Sequence, residues 1–286
     1  MHCEPRMRLT LHSVPASQGL RWMGQGWAVF RRAPLAFSAL LALYLVGVMV
    51  TTLVPLLGTV VAVGALPLLS LVYMLHSHQS LQKRPLGWAL WAQPFKLSPQ
   101  RTRSQLALGG LYVLGMVGVM VLSHLADGGA MQRLQDAMAA IPPDASDAAE
   151  QAEAAMLSAL QDGDFLQGIA LRGLGALLMS VPFWHAPALI HWGGQSALQS
   201  LFSSTLGLWR NRGAFFINGL GWLGVMLVIS LVLALISSLL GSPALMQMLV
   251  MPATLLVGSV FYAGLYFMFV DSFRFTAEPS AEPPMA

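Results

Sequence analysis

Six apolar runs, at roughly 35–54, 57–77, 105–125, 166–190, 214–239 and 245–270, dominate this chain. Each is close to the ~20 residues an α-helix needs to cross a bilayer. Inside hydrocarbon a segment must satisfy its own backbone hydrogen bonds, so runs of this kind are helices unless they close into a barrel. A transmembrane β-barrel would alternate apolar and polar residues in short strands, and these runs do not alternate. Composition agrees: of 286 residues 56% are hydrophobic and 9% charged, with a mean hydropathy of +0.65. A soluble domain carries roughly 25% charged residues. The expected fold class is all-α, a polytopic membrane protein of six transmembrane helices. They are expected as three hairpins, each preceded by a cytoplasmic amphipathic segment.

The charges orient the spans. Arg6, Arg8, Arg21, Arg31 and Arg32 precede the first run, and Lys83, Arg84, Lys96, Arg101 and Arg103 lie between the second and third. Arg210 and Arg212 lie between the fourth and fifth, and Arg274 follows the sixth. Six crossings put all of these on one side. The other side holds the loop 126–165, with Arg133 among eight Asp and Glu residues from Asp127 to Asp164. Because Lys and Arg set orientation, both termini are expected in the cytoplasm and the acidic loop outside it. The pI near 9.4 is explained by these juxtamembrane basic residues, so no nucleic-acid partner is expected. The charged N-terminal stretch does not fit a cleavable signal, so the first run is expected to stay as an anchor. The single cysteine, Cys3, allows no intramolecular disulfide.

These features divide the chain into a disordered tail over 1–19, one six-helix domain over 20–275 and a second disordered tail over 276–286. Within the acidic loop, Met131, Leu134 and Met138 recur at helical spacing. "PPD" at 142–144 breaks the chain and offers Asp144 or Ser146 as cap of a second helix over about 147–161. A weak internal repeat links "FRRAPLAF" at 30–37 with "WRNRGAFF" at 209–216, each just before an outward-going span. "GWALWAQPFKLSPQRTR" at 87–103 holds the same place before the third span, and its tryptophans and basic residues suit the membrane–water interface.

Residues 183–216, "FWHAPALIHWGGQSALQSLFSSTLGLWRNRGAFF", carry an "APAL" helix end, a glycine turn, an amphipathic helix and an "RN" leading into the next span. With Gly26-Trp27 and Phe30-Arg31-Arg32-Ala33-Pro34 near the N-terminus, the chain resembles the BPSS-type family of uncharacterised proteobacterial inner-membrane proteins. The resemblance covers about residues 20–275, the acidic loop excepted. It implies a six-helix, multi-pass protein of the bacterial cell inner membrane, and it supplies no catalytic residues.

Pro182 and Pro187 should bend the fourth span, since each lacks a backbone donor and clashes one turn back. His185 and His191, six residues apart, point about 120° apart on a regular helix and so would not readily grip one ion together. With His76 and His78 they form at most a candidate metal or pH-sensing cluster. Arg172 is expected to snorkel outward and meet Asp162 or Asp164, and Asp271 to lie at the membrane boundary near Arg274. Small-residue pairs Gly58/Ala62 and Ser259/Ala263 suit close helix packing, and Asn218 suits a hydrogen bond across helices. No nucleotide-binding, hydrolase or zinc-protease fingerprint occurs. No catalytic, cofactor-binding or metal residue is assigned and no cofactor is expected. The leading expectation is a non-enzymatic scaffold that contacts the bilayer, anionic lipids at the cytoplasmic face, or a membrane-protein partner. The alternatives are a transporter or channel using the proline-kinked fourth helix, and an intramembrane histidine site.

Overall fold

The computed structural model of the chain describes residues 7–87, 89–142, 147–240 and 243–277. Strand β1 (Met7–Leu11) leads into helices α1 (Gln18–Phe30), α2 (Pro34–Thr51), α3 (Leu57–Leu81), α4 (Ala89–Lys96) and α5 (Pro99–Ala126). Then come α6 (Ala130–Ala139), α7 (Ala148–Gln161), α8 (Gly163–Phe183), α9 (Ala186–Gly193), α10 (Ala197–Arg210), α11 (Arg212–Leu240) and α12 (Pro243–Ser272), with strand β2 (Phe273–Ala277) last. The architecture is that of an all-α polytopic membrane protein. Six stretches are long and apolar enough to cross a membrane: α2, α3, α5, residues 163–193, α11 and residues 248–272. They overlap the six expected runs.

Local chemistry sets the boundaries. Pro34 opens α2, where a missing N–H leaves no helical bond unmade. Ser196 caps α10, its hydroxyl accepting the Gln199 N–H at 3.4 Å, which satisfies one of the orphan donors of the first turn. The fourth apolar stretch is interrupted: α8 stops at Phe183 and α9 resumes at Ala186, with Pro187 in its first turn. Pro187 offers no N–H to the Phe183 carbonyl one turn back, and the break falls where the two prolines predict a bend. Gly194, at φ +64°, ends α9 in the left-handed conformation that glycine adopts without steric cost.

Three expectations are corrected. Residues 7–11, within the stretch expected as a disordered tail over 1–19, form β1, which pairs antiparallel with β2 from Met7↔Ala277 to Leu11↔Phe273. The same tail stretch contains the first turn of α1. The C-terminal tail expected over 276–286 begins inside β2, and its residues 278–286, like Cys3, lie outside the described residues. The single domain expected over 20–275 separates into two compact units, residues 1–109 with 182–286, and residues 110–181.

In the first unit Trp22 of α1 is fully buried among Leu71, Met74, Leu189, Leu265 and Met268. Beside it, Phe37, Tyr73 and Ala263 form a second cluster, in which the Tyr73 hydroxyl donates to the Phe37 carbonyl at 2.8 Å. α1 lies close on its neighbours because it presents glycines: a Cβ on Gly19 would fall 2.2 Å from the Ala214 carbonyl oxygen, and one on Gly26 2.8 Å from that of Val260. In the second unit α6 buries Ala130 and Leu134 against Phe165, with Met131, Met138 and Ala155 packed around them. α6 and α7 match the two helices expected in the acidic loop; the proposed caps Asp144 and Ser146 lie outside the described residues.

Candidate membrane-interface site

Short helices α1, α4 and α10 stand directly before the long apolar helices α2, α5 and α11. At two of these three junctions the same pair of side chains recurs. Trp27 lies near the end of α1, and the Arg31 guanidinium stands 5.8 Å from its ring centroid. Trp209 lies near the end of α10, with Arg212 at 5.4 Å. Both indoles are exposed, at 43% and 68%. Their geometry is that of a cation–π contact; the second pair lies inside the sequence repeat at 209–216, whereas Trp27 precedes the repeat at 30–37, which aligns Phe30 with Trp209 and Arg31 with Arg210.

α10 inverts the pattern of a helix in water. Four of its five buried positions are small, namely Ala197, Ser200, Ser204 and Gly207, the fifth being Leu208, and Gly207 packs against the Phe273 ring. Leu198, Phe202, Leu206 and Trp209 are exposed, three of them four residues apart and so aligned on one helix face. Near Trp27, an apolar cleft of about 310 Å³ runs between α1, α11 and α12, lined by Met23, Trp222, Ile229, Leu256 and Val260.

Polar ties fix α1 in place. The Asp271 carboxylate accepts from the Gln18 amide and from the Trp22 indole, both at 2.8 Å. Asn218 donates to the Gly19 carbonyl at 2.9 Å, the expected bond between helices. Asn211 accepts from the Val14 N–H and donates to the His12 carbonyl and the Ser272 hydroxyl. Asp271 is thus tied to α1 and is not simply a boundary group beside Arg274.

The four histidines take separate surroundings. His76 shares Nδ1 with the Val72 carbonyl at 2.9 Å. His78 meets the Tyr266 hydroxyl at 2.8 Å and sits edge-on to Trp192. His185 is fully buried at the α8–α9 break among Phe215, Phe269 and Phe273, and neither ring nitrogen has a hydrogen-bond partner among the described residues. His191 is buried against Trp192. Among the described residues, no three His, Cys, Asp or Glu side chains converge as metal ligands.

In the second unit Arg172 pairs with Asp127, not with Asp162 or Asp164. Asp127 is fully buried and packs against Gly168, where a Cβ would fall 2.4 Å from its own. Burial, the largest single influence, pushes the Asp127 carboxyl up. The Gly129 N–H, the Arg172 guanidinium and His124 together outweigh it and hold the group below the usual carboxylate range. Asp162 pairs instead with Arg133 at 3.0 Å; that hydrogen bond, followed by the Asp164 N–H, holds its carboxyl low as well. "DGG" at 127–129 was the available signal, since an Asp two residues before a glycine favours this side-chain-to-backbone turn.

Over 96% of its length the chain is 31% identical to a probable inner membrane protein of Burkholderia thailandensis, and the match covers 97% of that protein. The chain belongs to this family of inner membrane proteins. No family model matches the chain, and no solved structure does. Membership accounts for side chains that water would not tolerate in such number. On this family member Leu35, Leu53, Leu114, Leu178, Leu231 and Leu239 are all exposed by more than half, and in a bilayer they meet lipid at no hydrophobic cost.

Proposed function

We propose that this protein is a non-enzymatic integral membrane protein whose cytoplasmic face organises anionic lipids or a membrane-protein partner. Both termini lie on that face, and the acidic segment 126–165 lies on the opposite side. The asymmetry of Lys and Arg supports this orientation. The observation that carries the functional reading is the repeated Trp–Arg pair, Trp27 with Arg31 and Trp209 with Arg212. An indole is favoured at the headgroup level, and a basic side chain there gains about 1 kcal/mol from an anionic surface. Two exposed copies of one arrangement, each at the mouth of a long apolar helix, suit a belt of headgroup contacts.

Lipid analysis of the gently solubilised protein tests the reading. Anionic phospholipid is expected to co-purify above its share of the membrane, and the double variant Arg31→Gln, Arg212→Gln is expected to lose most of that excess. An unchanged excess in the double variant would overturn the belt.

A further inference from the structure

Apart from the Trp–Arg pairs, the first unit contains a groove of about 810 Å³ between the start of α5 and the start of α10. Its lining includes Ser98, Gln100, Arg103, Ser104, Ser196 and Leu198. Arg103 is exposed, and its side chain has no hydrogen bond or ion pair among the described residues. The neighbouring Arg101 is otherwise engaged: its guanidinium donates to the His191 carbonyl at 3.1 Å and packs at Gly194. The charge facing the groove is therefore that of Arg103, and no carboxylate lines the groove with it. Three serine hydroxyls accompany it. The Ser98 and Ser196 hydroxyls accept from Arg101 and Gln199 N–H groups and keep their own protons to donate. The first-turn N–H groups of Gln100, Ala197 and Leu198 have no acceptor within their helices and add to the donor set.

The groove also has a fixed relation to the apolar surface. One turn beyond Arg103, Leu106 is 60% exposed, and on the other wall Leu198 and Phe202 are each 70% exposed. Donors and a cation at one end and bare apolar side chains at the other are complementary to an amphiphile with a negative head. A soluble anion would use only the polar end. The geometry points to a discrete headgroup site for an anionic phospholipid, its phosphate held by Arg103 and the serines and its chains lying along Leu106, Leu198 and Phe202. This assignment rests on the reading of this face as lipid-facing, but it names residues that the Trp–Arg belt does not include.

The test uses the full-length protein in phosphatidylcholine bilayers carrying spin-labelled phosphatidylglycerol or, in parallel, spin-labelled phosphatidylcholine. The motionally restricted fraction reports lipid held by the protein. Wild type is expected to hold phosphatidylglycerol in excess. Arg103→Gln should weaken that preference about fivefold, the effect of one basic group at an anionic surface, while Arg103→Lys retains most of it. Arg103 is exposed, so an unchanged helical melting profile is expected for both variants.

A preference lost in Arg103→Gln and kept in Arg31→Gln, Arg212→Gln supports the groove, even where the belt fails. A preference kept in Arg103→Gln and lost in the double variant leaves the belt and overturns the groove. Equal loss in both shows a diffuse surface charge and also overturns it, and no preference in wild type overturns both. Inorganic phosphate, titrated calorimetrically, is expected to show no binding; saturable binding lost in Arg103→Gln would reassign the groove to a soluble anion.

Discussion

Asp127 is expected to contribute strongly to the stability of its unit. Its carboxylate is fully buried, and a buried charge is tolerated only when paired and hydrogen-bonded. Arg172 and the Gly129 N–H meet those needs. Because these partners lower its folded pKa relative to the unfolded chain, its contribution is complete above about pH 4. It disappears as the pH falls through the depressed folded value. Thermal melts of the detergent-solubilised protein should therefore show a midpoint that drops on acidification below about pH 4. Asp127→Asn should melt lower at neutral pH and lose part of that acid dependence. Asp162→Asn, at the more exposed pair with Arg133, should cost less, since exposed ion pairs contribute little. An Asp127→Asn protein that melts like wild type at neutral pH would remove the pair from the account of stability. The sequence placed Arg172 near the acidic loop correctly and named the wrong partners. Proximity along the chain is legible, whereas the choice among Asp127, Asp162 and Asp164 depends on how α8 is rotated.

At the scale of elements, the helices α1 and α12 meet through backbone as much as side chain. Gly26 faces Val260 and Gly264, while Gly24, two residues away on the same helix, has nothing within 4 Å of a Cβ. The two glycines thus give opposite expectations for the same substitution. Gly24→Ala should stabilise by up to about 1 kcal/mol, through helix propensity alone. Gly26→Ala should destabilise by about 1–3 kcal/mol, because the added methyl must push α12 away. Denaturant-induced unfolding of the two variants measures both, and equal effects would dismiss the close approach.

The six long helices were readable because hydrocarbon thickness writes a local signature about 20 residues long. The α8–α9 break was readable because proline acts on the residue one turn back. β1 was not readable. Five residues pair with five others near the opposite end of the chain, and nothing within either stretch announces its partner. Of the two Trp–Arg pairs the sequence marked only the junctions: its repeat aligns Phe30 with Trp209 and Arg31 with Arg210, while Trp27 and both ring contacts required the helix ends to be placed. The groove at Arg103 left no mark, since its walls come from the starts of α5 and α10, which lie far apart along the chain.

For the whole molecule, the proposed orientation rests on two features together: six crossings would put both termini on one side, and the distribution of Lys and Arg would say which side that is. Residues 126–165 carry Arg133 alone among Lys and Arg, while thirteen others precede, follow or lie between the remaining apolar runs. Moving that charge to the outer side would oppose the bias that sets topology. An uncrossed fourth stretch, with α8 and α9 folding back at the Trp184–His185 break, would instead put the loop 126–165 and the α10 segment on one side. Cysteine labelling separates the two. With Cys3→Ser as background, Ser13→Cys reports the exposed residue after β1 and Ser158→Cys the exposed face of α7. Arg210→Cys, exposed at the end of α10, reports the far side of the fourth stretch. A membrane-impermeant maleimide added to intact cells should label Ser158→Cys only, and after disruption it should label all three. Labelling of Arg210→Cys together with Ser158→Cys in intact cells would mean that the fourth stretch does not cross. The Trp209–Arg212 pair would then face the outer leaflet while Arg103, at the start of α5, stayed on the inner side, and both the groove and the cytoplasmic assignment of that pair would fall.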